Sequence, residues 1–239
     1  MCCPNCNANN FVRNGINQTG KQKYKCNECG YQFVFNPEKF PISDETKETI
    51  NLLLLERVPL AGIVRVTGVS ARWLQYYVND IYDNVPRKII ITPKTTLHLT
   101  IECDELWSFV GKHSEKQWVW LAKDRESRQI IGVYVGERSA VGAKGLWDSL
   151  PEAYRESAIA YTDFWEAYAC IFPSERHVAV GKETGLTNNI ERFNATLRAR
   201  VSRLVRKSYS FSKKLANHIG AIWYFIHHYN ESLLDEYAT

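Results

Sequence analysis

Acidic residues are missing from a long stretch of this chain: between Arg192 and Asn230 there is no aspartate or glutamate. The same stretch holds Arg192, Arg198, Arg200, Arg203, Arg206, Lys207, Lys213 and Lys214, so a modest net charge of +4 hides a one-signed segment. Such a segment faces a polyanion more readily than plain solvent, because neutralising phosphates releases condensed counterions. Interleaved tyrosine and phenylalanine weigh against a merely solvated helix face. Long apolar runs are missing too. The run Leu52–Leu55 is soon followed by Glu56 and Arg57, and no run approaches the ~20 residues that span a bilayer. That excludes a helical membrane anchor within the sequence. Cysteine is scarce after residue 30, where only Cys103 and Cys170 remain, both within apolar segments and read as small core residues. A disulfide framework is therefore not expected. The first residues lack the basic-then-apolar layout of a secretory signal, and the expected location is cytoplasmic, associated with the nucleoid. No repeat or low-complexity tract is visible.

At 239 residues, 45% of them hydrophobic, the chain can bury one full catalytic domain and one or two small modules. The five remaining cysteines crowd into the first thirty residues, which points to metal. Cys3 and Cys6 form one C-x-x-C knuckle and Cys26 and Cys29 another, separated by nineteen residues, the spacing of a four-thiolate zinc site. Cys2 is a candidate substitute for Cys3, but the proline after Cys3 suits the knuckle better. Tyr24, Tyr31, Phe33 and Phe35 alternate as in a short hairpin packed beside the ion. A segment this small has almost no core, so zinc would supply its folding free energy.

Residues 1–36 thus read as a zinc ribbon, followed by a proline-containing linker. Residues 41–84 read as a helix–turn–helix: Ser43 caps a first helix, Pro59 breaks the pattern, and two short helices flank Gly68, the second capped by Ser70. Arg72, Gln75 and Tyr76 fall on the helix expected to face DNA, although Trp73 or Leu74 must also supply core. Residues 85–96 form a second linker.

From Leu97 the apolar pattern switches to period two, with Leu97, Leu99, Ile101 and Cys103 alternating with His98, Thr100, Glu102 and Asp104. Segments 117–124 and 129–136 read as two more strands joined by a polar turn. A helix from Val141 to Leu150, a strand ending at Asp163, a helix from Trp165 to Phe172, a strand at HVAV and helix from about Thr187 follow. Three strands, a helix, a strand, a helix, a strand and then helices is the succession of an RNase H-like α/β domain, here residues 97–239. The expected fold class is multidomain α/β.

Three acids stand out. Asp104 in IECDELWSFVG and Asp163 in AIAYTDFWEAY end strand-like runs, and Glu191 in NNIERFNATLR opens a basic helix. If the first two strands lie side by side in parallel, their carboxylates meet at one sheet edge. The third acid comes from a helix whose apolar stripe is Ile190, Phe193, Leu197, Val201 and Leu204. Three carboxylates brought together repel one another unless divalent cations lie between them. A single strand-end aspartate is more often a cap, and Glu102 and Glu105 compete with Asp104 by proximity. Glu105 should point to the opposite face, and Glu102 lies one pleat further in. A carboxylate–metal site beside arginines suits phosphodiester chemistry.

At these residues the chain resembles the transposases of the insertion sequence one family, a branch of the DDE recombinases. The likeness runs from CPNC…CNEC through DELWSFVG and TDFWEAY to IERFNATLRARVSRLVRKSYSFSK, and the I-E-R-x-N-x-T-L-R phrase is its most specific part. The resemblance implies catalytic roles for Asp104, Asp163 and Glu191, two Mg²⁺ (or Mn²⁺) held by them, and one structural Zn²⁺ on Cys3, Cys6, Cys26 and Cys29. It implies strand cleavage and transfer on double-stranded DNA, at element ends and target, by a homodimer or higher multimer. Arg198, Arg200, Arg203, Arg206 and Lys207 are the expected phosphate contacts. A DNA-binding regulator with an inactive catalytic domain, or a nuclease that cuts without joining, would share most of these features.

Overall fold

The computed structural model describes residues 1–18, 20–35, 41–89, 91, 99–204 and 212–237, the last three of these in backbone only. Arg206, Lys207, half of the 85–96 linker and the start of the strand expected from Leu97 lie outside the described residues. The chain divides into two compact units, Met1–Asp44 and Glu45–Thr239.

In the first unit β1 (Phe11–Ile16), β2 (Gln22–Cys26) and β3 (Gln32–Val34) form an antiparallel sheet in that order. Its core is small: Cys3, Cys26 and Phe33 are buried, with Phe11, Tyr24 and Phe35 packed around them. The aromatic rings meet edge-on, Phe11 standing 5.6 Å from Phe33 and 5.4 Å from Phe35. Gly30 adopts φ 72°, the left-handed turn that follows the second cysteine pair. Tyr31 does not join this core and is 44% exposed.

The second unit opens with α1 (Asp44–Leu55), α2 (Leu60–Thr67) and α3 (Ala71–Asn84). Gly68 ends α2 in the left-handed conformation, returning its N–H to Val64 O, and Ser70 Oγ accepts the Trp73 N–H to start α3. Leu74, Val78 and Tyr82 are the buried face of α3.

The main sheet has the order β6-β5-β4-β7-β8. Strands β4 (Thr100–Phe109), β5 (Lys116–Asp124) and β6 (Ile130–Gly136) form an antiparallel meander. The β5–β6 turn is tied by buried Asp124, whose Oδ1 accepts the N–H groups of Glu126 and Ser127. Helices α4 (Ala140–Ser149) and α5 (Glu152–Ser157) lead to β7 (Ile159–Thr162), which pairs parallel to β4. After α6 (Glu166–Ala169), β8 (His177–Ala179) adds parallel to β7. Helix α7 (Asn188–Arg200) and the long α8 (Leu215–Tyr237) complete the unit. The core on one face gathers Ile101, Cys103, Trp120, Ile131, Leu146, Ala160 and Tyr168.

Four elements differ from the sequence reading. Asp104, expected at a strand end, lies midway along β4, which stays paired with β5 as far as Phe109. The helix expected over Trp165–Phe172 is a single turn, because Asp163 draws the Trp165 N–H to its carboxylate and Trp165 remains extended. Helix α5 lies in a stretch left unassigned; its six residues are too few to show a periodicity. The helix expected to run on from Thr187 stops at Arg200. Val201 is extended (φ −91°, ψ 110°), and Leu204 reaches the core through a 3-10 turn at Ser202–Leu204. All five residues of the predicted stripe are nevertheless buried.

Candidate active site

The register Glu102↔Tyr161 between parallel β4 and β7 carries forward to set Asp104 level with Asp163, just past the end of β7. Helix α7 packs on β4 and β5 beside them. Asp104, Asp163 and Glu191 line one cleft of about 310 Å³, together with Thr187, Asn194, Lys182 and Arg198. Each acid is held differently. Asp104 Oδ1 accepts the Glu105 N–H at 2.8 Å and its Oδ2 accepts Asn194 Nδ2 at 2.7 Å. Asp163 Oδ1 accepts the Trp165 N–H at 3.0 Å, and Glu191 Oε1 takes a long 3.4 Å contact from the Thr187 hydroxyl. Burial, and then the Glu105 charge, push the Asp104 carboxyl up to about 7.

The competing acids do other work. Glu105 points to the opposite side of β4, as the pleat requires. There Arg138 grips its Oε1 with two nitrogens at 2.9 and 2.7 Å, and the Tyr168 hydroxyl donates to Oε2 at 2.8 Å. The Arg138 guanidinium lies 4.7 Å from the Trp118 ring centre and 4.2 Å from that of Trp165. Glu102 is fully buried and accepts Asn189 Nδ2 at 2.8 Å and the Ile190 N–H at 2.9 Å, with Arg125 Nε at 3.1 Å. A carboxylate bonded to the first turn of a helix favours the positive end of its dipole. Glu102 therefore fastens the start of α7, and Glu191 with it, to the strand that carries Asp104.

Asn194 is a site residue that the sequence pattern alone does not single out. It stands three positions after Glu191, one turn along the same face, and it is the asparagine of I-E-R-x-N. Its Oδ1 is buried without a hydrogen-bond partner among the described residues. An orphaned oxygen beside a buried carboxyl suits a hydrated cation, so these residues fit a divalent metal.

The arginines expected to form one stripe separate. Arg198 lines the cleft. Arg200 turns to α1, donating to Leu55 O at 3.2 Å and pairing with Glu56. Arg203 lines a different groove, with Gln75 of α3. Arg72 and Tyr76 are exposed on α3, the guanidinium 5.7 Å from the tyrosine ring centre.

The second ligand set is in the first unit. Cys3, Cys6, Cys26 and Cys29 bring their sulfurs within 4.8 Å of one another. The Cys3–Cys29 and Cys6–Cys26 separations are 3.7 and 3.6 Å. A tetrahedron with Zn–S bonds of about 2.3 Å has edges of about 3.8 Å, so the four thiols fit zinc. Cys2 is exposed and outside the set.

The second unit is thus mixed α/β with three acids lining one cleft, and the first carries a four-cysteine cluster that could hold zinc. Residues 98–230 match the IS1 transposase family profile, and the chain belongs to that family. It is 32% identical over 157 residues to the insertion element IS1 4 protein InsB of Escherichia coli strain K12, covering 65% of this chain and 91% of that protein. The insertion element IS1 protein InsB of Shigella flexneri is 36% identical over 125 residues, 52% of this chain and 92% of its own length. Family membership gives the chain a transposase role, that of an enzyme acting on DNA. No described helix is long and apolar enough to cross a membrane.

Proposed function

We propose that this transposase cleaves DNA at the ends of an insertion element and joins the freed ends to target DNA, using Asp104, Asp163 and Glu191 to hold two Mg²⁺ or Mn²⁺ ions. The observation that carries this is the convergence of those three acids, from β4, the end of β7 and α7, on one cleft. The strand order, with β4 flanked by an antiparallel meander and by parallel β7 and β8, supports an RNase H-like catalytic fold. Helices α2 and α3 supply a helix–turn–helix, with Arg72, Gln75 and Tyr76 toward DNA, and the thiolate unit is a zinc ribbon.

Bound at the acids, the divalent ions supply an activated oxygen nucleophile and stabilise the leaving oxygen. The chain's own groups do the positioning. Asn194 and the Glu105 N–H fix both oxygens of Asp104, Glu102 sets the start of α7, and Lys182 and Arg198 offer positive charge to the phosphate oxygens. In cleavage, water oxygen bonds to phosphorus and the P–O3′ bond breaks, leaving a 3′-hydroxyl and a 5′-phosphate. In joining, that 3′-hydroxyl attacks a target phosphodiester, and the displaced target 3′-oxygen takes up a proton. Two ends are joined in one event, so a dimer or larger assembly is expected.

The test is wild-type and Glu191→Gln protein on labelled DNA carrying the flanking element's ends, with a plasmid target and Mg²⁺. Metal-dependent nicking and joining in the wild type, reduced about a hundredfold or more in the variant, is the expected result. End binding by the wild type without cleavage would make the protein a regulator, and cleavage without joining a nuclease.

A further inference from the structure

A second cleft in the Glu45–Thr239 unit is larger than the one holding the acids, about 600 Å³. It lies between the α1–α3 helices and the start of α8. Its polar lining includes Arg203, Lys213, Lys214, Gln75, Asn79 and Asn217, and no carboxylate residue lines it among the described residues. The amides are organised: Asn79 Oδ1 accepts from both Gln75 Nε2 at 2.8 Å and Asn217 Nδ2 at 2.9 Å. That network joins α3 to α8 and floors the groove with side chains already fixed in place.

The charges are placed against the local field. Lys213 and Lys214 immediately precede α8, a helix of 23 residues, at the end where its dipole is positive. The first backbone bond into the helix runs from His218 N to Lys214 O, leaving the N–H groups of residues 215–217 without helical partners. Two lysines and an arginine gathered there repel the dipole and one another. No ion pair offsets Arg203, Lys213 or Lys214 among the described residues. An anion with several oxygens would relieve all of these charges at once.

We propose that this groove seats the sugar–phosphate backbone of the element-end DNA between the sequence read on α3 and the phosphate cut in the acid cleft. Gln75 belongs to both α3 and the groove, and Arg203 follows Arg198 of the acid cleft by five residues. Basic residues therefore line both clefts, Arg203 in the groove and Arg198 beside the acids. The proposal rests on the transposase reading and adds a phosphodiester site to it.

The experiment uses the full chain, a labelled duplex carrying the flanking element's end, and a salt series from about 50 to 200 mM. Lys213→Gln/Lys214→Gln is compared with wild type, with melting temperature as the folding control, since both lysines are exposed. The expected result is several-fold weaker binding and a salt slope shallower by roughly two. In a methylphosphonate scan, wild type should lose affinity at phosphates between the recognised sequence and the cut, and the double variant should not. A wild-type slope and scan pattern in the folded variant would overturn the groove while leaving the transposase reading intact. Failure of the wild type to bind or cleave any element end would overturn both.

Discussion

The thiolate cluster and the acid cleft are both ligand sets, built on opposite plans. The four sulfurs stand at bonding separations around a point, supplied by two short knuckles and a three-stranded sheet with three buried residues at its centre. The acids come from two strands and a helix far apart in sequence, and they line a cleft floored by a substantial apolar core. In the first unit a bound ion would stand in for a core; the second has an apolar core of its own. Small domains need such staples, and a unit of this second size does not.

Metal removal should expose that contrast most strongly. A zinc chelator is expected to unfold residues 1–44, since structural zinc contributes about 10–16 kcal/mol in small zinc-binding peptides. Limited proteolysis should then cut within that segment and leave the Glu45–Thr239 unit intact. Equal resistance of both segments would show that the ribbon has an adequate core of its own. Removing Mg²⁺ should abolish cleavage and leave the melting temperature of the second unit almost unchanged.

Breaking the second unit requires attacking its packing. A side chain at Gly220 would collide with the backbone of Tyr82, where α8 meets α3. Gly220→Val should cost about 1–3 kcal/mol, read as a lowered denaturant midpoint that zinc does not rescue. Arg138→Ala leaves Glu105, whose side chain is 3% exposed, without its cation. Because Arg138 itself is 40% exposed, the expected loss is about 1–3 kcal/mol, below that of a fully buried pair.

Acid should affect both units for different reasons. Zinc held by the four thiolates would be released on their protonation. His218 is fully buried between the hydroxyls of Ser108 and Ser212, and burial lowers its pKa to about 4. The unfolded chain takes up that proton near pH 6.5 and the folded chain does not. Stability of the second unit is therefore complete above about pH 6.5 and falls as pH drops toward 4, by on the order of 2 kcal/mol. His218→Asn should flatten that slope without altering the acid release of zinc. An unchanged slope would assign the acid loss to another group.

Much of this contrast was legible in the sequence. Cysteine spacing is local information, and the proline after Cys3 favoured it over Cys2, which lies outside the set. The parallel pairing of β4 with β7 was a condition of the reading that the structure meets, with Asp104 midway along β4 and Asp163 just past the end of β7. The pleat placed Glu105 on the far face. What stayed hidden depends on tertiary contact: Asn194 touches Asp104 across ninety residues of chain, and Glu102 looked like a spare acid until α7 was set on it. The division of the arginines between cleft, α1 and groove was also hidden. Arg198 and Arg200 part because two positions on α7 are about 200° apart, and only Arg203 lies past the break at Val201, where a continuous apolar stripe gave no hint that the helix had ended.

Gly220 has a further consequence. With no Cβ between them, α8 and the Tyr82 backbone close together, and Asn79–Asn217 and the Tyr82–Tyr224 ring pair, 6.1 Å between centres, reinforce the join. The α1–α3 helices therefore share one compact unit with the acid cleft. On the proposed reading the protein is a ruler: the number of base pairs between the sequence it reads and the bond it cuts is fixed by its own packing. Each base pair inserted into an element end would rotate the cut site about 35° around the duplex, and two or three would carry the scissile phosphate out of the acids' reach.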